Sequence, residues 1–162
     1  MFHFATLQDI VSLSLVPCIG FPLCMGLAYN DIGYVSIFVG ALTVGFTTNV
    51  LKVATSYLTD DPLFYRPRGA TYCTLLNGRC NPRAPAFPSG HVAVATFITC
   101  SLYQYQRASM VGMFTRGVLA VVYVIYVTMM AYSRYAKRCH NVPQIVGGVC
   151  YGYTAFMLFS SM

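Results

Sequence analysis

The sequence contains no glutamate and no tryptophan, and its acidic residues are four aspartates. Charged residues of both signs make up 9% of the 162 positions, against roughly 25% in soluble domains. With 57% hydrophobic residues, the chain carries more apolar surface than a soluble fold of this length can bury, so a bilayer is the expected solvent. No Cys/His spacing matches a zinc site. Residues 1–9 lack the basic start of a signal peptide, and no small-residue cleavage site stands out after the first apolar run. There are no repeats and no low-complexity stretches. The length suits one domain, 1–162.

What is present is positive charge, a net +6 from ten Lys/Arg. These residues fall in short connections between apolar runs and form no dense polar stripe, which argues against nucleic acid as a partner. Phosphate ligands and anionic lipid headgroups fit the placement better. The apolar runs predict an all-α membrane bundle of about five spans: 10–29, bent by Pro17, Gly20 and Pro22; 34–58; 89–106; 117–132; and 142–160. Gly148-x-x-x-Gly152 in the last run suits close helix contact. Asn30-Asp31 with Gly33 marks a tight turn. The 13 tyrosines are mostly expected as interface anchors. Residues 59–88, with five prolines and four arginines, form the one long polar loop, and its aromatic and leucine content argues against disorder.

Pro88-Ser89-Gly90-His91 closes that loop and opens the third span. Proline and serine suit a helix start, and the first N–H groups of a helix lack internal partners, so they can bind an anion. Five crossings put the end of the second span, the start of the third, the end of the fourth and the start of the fifth on one membrane face. That face gathers Arg66, Arg68, His91, Arg134 and His140, with Lys52 near.

Pro88-Ser89-Gly90-His91, Ser133-Arg134 followed six residues later by His140, and Arg66-Pro67 preceded by Lys52 resemble the three signature motifs of the type 2 phosphatidic acid phosphatase superfamily. The resemblance runs from about residue 34 to the end. It implies a membrane lipid phosphate phosphatase with no cofactor. His140 is then the nucleophile and forms a phosphohistidine. His91 is the general acid, which later activates water. Arg134 and Arg66 clamp the phosphate oxygens, and Ser89 with the N–H groups of Gly90 and His91 completes the cradle. The cations are side chains, so no metal is implied, and the site lacks the carboxylates that magnesium would want.

Two positions depart from the pattern. The family's lysine lies seven residues before Arg-Pro; position 59 here is Thr, and Lys52 stands fourteen before Arg66. Either Lys52 points the same way across two extra helical turns, or Asp60-Asp61-Pro62 bulges and brings Arg66 back, or Arg68 takes over the role. Most members also carry an Asp four residues after the nucleophile, where this chain has Gln144. Its carbonyl oxygen can still accept Nδ1–H and fix the tautomer; a helix-packing role is the alternative. His-x-x-x-Gln followed by a glycine-rich helix looks like the dolichyl diphosphate phosphatase branch. Arg-Pro-x-Gly-Ala, Asn-Gly and Phe-Pro-Ser-Gly-His resemble compact members encoded by large DNA viruses. The rival from another class is a catalytically weak or inactive member that binds lipid phosphate as a membrane scaffold. A transporter is disfavoured because the charges cluster at one face.

Cys18, Cys24, Cys100 and Cys150 lie in apolar runs and read as small hydrophobes. Cys73 and Cys80 share the polar loop; they pair if it faces an oxidising compartment, or stay free thiols. Arg79, Arg83, Lys137 and Arg138 read as a solvated or lipid-facing fringe, and His3 as incidental. The positive-inside rule puts the site in the cytosol, whereas the resemblance implies the lumen or exterior. An endoplasmic reticulum or other internal membrane is favoured, and the facing of the site stays open.

Overall fold

The computed structural model describes residues 7–70, 73, 81, 83–109 and 112–161. It consists of helices α1 (Leu7–Leu13), α2 (Leu15–Tyr29), α3 (Ile32–Leu58), α4 (Gly90–Ser109), α5 (Met113–Ala136) and α6 (Val142–Ser160), plus a 3-10 turn at Pro62–Phe64. No strand occurs among the described residues. His3, Arg79 and Cys80 lie outside them.

α1 and α2 run almost continuously. The one interruption between them falls at Ser14, whose own backbone stays near helical values (φ -60°, ψ -17°). Pro17 has no N–H to return to the carbonyl of Leu13, so the ladder weakens just before it. The ladder holds on either side of the break, with Ser14 N donating to Ile10 O and Cys18 N to Ser14 O. Asn30 adopts the left-handed conformation (φ 50°) and ends α2. Asp31 caps α3 by accepting from Gly33 N at 2.9 Å. α3 then runs for 27 residues, about 40 Å at 1.5 Å per residue.

Four segments, Gln8–Tyr29, Ile32–Leu58, Met113–Ala136 and Val142–Ser160, are long and apolar enough to cross a membrane. The expected span at 89–106 corresponds to α4, which ends in the polar run Tyr103-Gln104-Tyr105-Gln106-Arg107 and is too polar to join that group. It has less need of lipid-compatible surface, because it packs against α6, α3, α5 and α2 and every residue from Val92 to Thr99 is buried. The outer helices turn large side chains such as Phe46, Val121, Ile125 and Leu158 outward, as a bilayer-facing surface requires. The protein is an all-α membrane bundle.

The close contact read from Gly148 and Gly152 is with α4. A Cβ on Gly148 would lie 2.6 Å from the Ser89 carbonyl oxygen, and one on Gly152 would collide with the Ala93 carbonyl. α6 therefore lies backbone to backbone against the first turns of α4.

The ends of the 59–88 loop are zipped together. Arg66 N donates to Ala84 O (3.3 Å) and Ala86 N to Phe64 O (2.8 Å), while Phe64 and Phe87 meet edge to face at 5.1 Å. Cys73 corrects an expectation: it is neither a free thiol nor paired with Cys80. It is bonded to Cys139, 66 residues away, in a small buried cluster with Ala70.

Candidate active site

Ser89 immediately precedes α4 and is fully buried. Its N–H donates to Gln144 O at 3.0 Å and its carbonyl accepts from Ala93 N at 2.9 Å. The N–H groups of Gly90 and His91 thus begin the helix without intrahelical partners. Ser89 Oγ is buried with no hydrogen-bond partner among the described residues, and so is Arg66 Nε. Each is a buried donor without a partner, a cost that a bound anion would relieve.

Lys52 reaches this helix start. Its Nζ lies 3.3 Å from where a Cβ on Gly90 would stand, with Thr48 Oγ1 at 3.4 Å, so a larger residue at 90 would crowd the ammonium. The fourteen-residue spacing to Arg66 closes in two steps. α3 carries Lys52 toward α4, and the chain then folds back where Asp61 Oδ1 caps the 3-10 turn by accepting from Leu63 N at 2.8 Å. Arg68 does not take the lysine's place. It is exposed on the loop and is not among the charges acting on Lys52, His91 or His140.

Arg134 occupies the last turn of α5 and is 1% exposed. Its Nη2 donates to the Cys73 carbonyl at 2.7 Å and its Nη1 to Ser12 Oγ at 3.2 Å. His140 follows in the α5–α6 turn, buried, with its N–H on the Arg134 carbonyl at 3.3 Å. Its Nδ1 lies 3.2 Å from Gln144 Oε1. The amide orientation is fixed from behind, because Gln144 Nε2 donates to Leu63 O (2.6 Å) and Tyr65 O (2.8 Å). Oε1 therefore faces the imidazole, and it also accepts from Asn141 N at 3.2 Å. An oxygen can only accept, so Nδ1 carries the hydrogen and Nε2 keeps its lone pair. Burial, then the positive charges of Arg134, Lys52 and Arg66, push the His140 ring down to about 3, with the Gln144 hydrogen bond opposing. The ring is neutral at physiological pH. His91, half-buried at the start of α4, lies within electrostatic reach of Arg134, His140, Lys52 and Lys137.

The structure thus brings together Lys52, Arg66, Ser89, Gly90, His91, Arg134, His140 and Gln144, and leaves Arg68 outside. It also adds residues that the sequence reading missed. Lys137, expected in the solvated fringe, is buried and ion-paired to Asp9 at 2.6 Å, while Arg83 and Arg138 are exposed as expected. Ser12 stands between Arg134 Nη1 and Lys137 Nζ (3.4 Å) and also meets Ser133 Oγ at 3.2 Å. The signal for these contacts was an Asp just before the first apolar run and a Ser within it, but their partners lie more than 120 residues along the chain.

No curated protein and no solved structure gives a significant match to this chain. The sequence model of the PAP2 superfamily matches residues 33–162. That covers most of the chain, including all three motifs and α3 to α6, and leaves α1 and α2 outside. The chain belongs to the PAP2 superfamily, whose members are phosphatases.

Proposed function

We propose that this membrane protein hydrolyses a lipid phosphomonoester or an isoprenoid diphosphate through a phosphohistidine on His140, with side chains in place of a metal. The observation that carries the reading is the convergence of two histidines and three cationic side chains on a helix start with two unpartnered buried donors, Ser89 Oγ and Arg66 Nε. His140 Nε2 attacks phosphorus while Arg134, Arg66 and Lys52 bind the non-bridging oxygens and oppose the developing charge. His91 gives its proton to the leaving oxygen. In the second half, His91 takes a proton from water, the hydroxide oxygen bonds to phosphorus, and the phosphorus–nitrogen bond breaks to release inorganic phosphate and neutral His140. Gln144 keeps Nδ1 protonated throughout and so reserves Nε2 for phosphorus.

The lipid character of the substrate has its own support. An open apolar cleft of about 550 Å³ lies between α4, α5 and α6, lined by Thr96, Tyr123, Val127, Ala131 and Val149 among others. Thr96 is five residues beyond His91 and Ala131 three before Arg134, so the cleft begins one to two turns below the charges. The His-x-x-x-Gln pattern and its glycine-rich helix favour an isoprenoid diphosphate. The scaffold alternative was motivated by Gln144 and the displaced lysine. It loses force now that Gln144 contacts His140 and Lys52 reaches Gly90.

An internal membrane, with the site on its lumenal side, is the proposed location. The Cys73–Cys139 bond supports an oxidising compartment. The opposing count of positive charge weakens, because Lys52, Arg66 and Arg134 belong to the site and Lys137 is paired with Asp9.

The test is inorganic phosphate release by the purified protein in detergent with EDTA, comparing phosphatidic acid with a polyprenyl diphosphate, and wild type with His91→Ala and His140→Ala. Turnover that survives EDTA and vanishes in His140→Ala is expected. Loss in EDTA would sink the metal-free mechanism, and no turnover on any substrate would favour the scaffold.

A further inference from the structure

Arg134 is held at both ends by one covalent link. Its carbonyl accepts from Cys139 N at 3.0 Å. Cys139 is bonded through sulfur to Cys73, and the Cys73 carbonyl accepts from the Arg134 guanidinium at 2.7 Å. Main chain, disulfide, loop carbonyl and side chain close a ring around a single arginine. Both half-cystines are buried, Cys139 completely and Cys73 to 3% exposure. The imidazole of His140, next along the chain, has separate supports in Gln144 and, through its own N–H, the Arg134 carbonyl.

We propose that Cys73 and Cys139 are positioning residues for the phosphate clamp: their bond holds the Cys73 carbonyl against Arg134 and so fixes the guanidinium in its phosphate-binding pose. This rests on the proposed function, since it assigns Arg134 to phosphate. Without the bond, the covalent tie that carries the Cys73 carbonyl to Arg134 is lost. Of its contacts with Ser12 and the Cys73 carbonyl, the guanidinium then keeps only the first, and any reordering by substrate is a cost that subtracts from affinity. The nucleophile keeps its tautomer and its neighbours, so the loss falls on binding before chemistry.

The experiment uses the full chain in detergent, oxidised, with Cys73→Ser, Cys139→Ser and the double variant, and wild type treated with a dithiol. In that treatment the dithiol closes to its cyclic disulfide and gives two electrons and two protons, and Cys73 and Cys139 become thiols. Two readouts are taken: turnover of a lipid phosphate, and binding of inorganic vanadate. Reduction or either substitution is expected to raise KM and weaken vanadate binding about tenfold, the scale of one hydrogen bond to a charged group, while kcat changes far less. The double variant should match either single, reoxidation should restore wild type, and reduction should have no effect on vanadate binding in Arg134→Gln. An unchanged KM and vanadate affinity after reduction verified by mass overturns the proposal. So does an equal effect in Arg134→Gln, or loss of the folded particle in step with the loss of binding. If oxidised wild type turns over no lipid phosphate, the proposed function fails, and the vanadate comparison still decides the clamp.

Discussion

Gln144→Glu would place a carboxylate beside His140, and it should harm this protein. The wild-type amide uses both ends. Oε1 accepts from His140 Nδ1 and Asn141 N, while Nε2 donates to the carbonyls of Leu63 and Tyr65 at 2.6 and 2.8 Å. A glutamate of the same shape keeps the first pair of contacts and strengthens the histidine bond, a gain of about 1 kcal/mol for a charge-assisted bond. Its second oxygen then faces two carbonyl oxygens in a fully buried position. Losing two buried donors at about 1–2 kcal/mol each costs about 2–4 kcal/mol before any repulsion. The balance is a net destabilisation of about 1–3 kcal/mol. It falls where the 59–88 loop joins α6, so Arg66, one residue past Tyr65, should lose its place as well. Denaturant unfolding in detergent reads the stability, and initial rates with one lipid phosphate read kcat and KM. A variant as stable and as active as wild type would refute the amide orientation, and with it the assigned tautomer of His140.

Other outcomes follow from the same contacts. His140 is held neutral with its ring pushed down to about 3. The unfolded chain therefore binds a proton below about pH 6.5 that the folded chain does not, and stability should fall as pH drops from there toward 3; His140→Asn should flatten that slope in pH-dependent melts. By the same shift, no limb of the kcat/KM profile between pH 5 and 8 should belong to His140, and an NMR titration of His140 with a midpoint near 6.5 would contradict this. Asp9→Asn leaves Lys137 buried without its carboxylate and should cost about 1–3 kcal/mol, less than a fully buried pair because Asp9 is partly exposed; Asp9→Asn with Lys137→Met should recover most of it in the same unfolding assay. Gly148→Ala forces a methyl against the Ser89 carbonyl and should cost about 1–3 kcal/mol in stability together with activity. Gly20→Ala and Gly117→Ala, with nothing within 4 Å of the added carbon, serve as tolerated controls.

Much of the architecture was legible because hydropathy and spacing are local signals. The five apolar runs match the helices closely, since a bilayer forces the backbone into helix wherever it crosses. Pro88–His91 and Ser133–His140 announced themselves as short patterns, and the alternation of crossings put them on one face. Three things were illegible for a common reason: each depends on residues far apart in sequence meeting in space. Asp9 and Lys137 looked like an isolated charge and a fringe cation. Cys73 had a closer candidate in Cys80 than in Cys139, which lies on the far side of two helices. The Lys52 spacing, by contrast, was legible as an alternative: the bulge expected at Asp60-Asp61-Pro62 corresponds to the turn that Asp61 caps. Gln144 was legible as an acceptor for His140. Its grip on the Leu63 and Tyr65 carbonyls, which decides its orientation, was not.

The helix that carries His91 is also the one least able to live in lipid alone. α4 ends in glutamines, tyrosines and Arg107, and the stretch Val92–Thr99, mostly valine, alanine and threonine with Phe97 and Ile98, is covered by other helices. As the chain is made, α4 emerges before α5 and α6 exist to shelter it. Its stable residence in the membrane therefore waits on the C-terminal third of the protein. That third also brings Arg134, His140, Gln144 and the two glycines that admit α6 to Ser89. The cover of α4 and the assembly of the proposed active centre thus share one requirement, the presence of α5 and α6. A chain stalled or cut before α6 has neither a sheltered α4 nor a His140 held by Gln144.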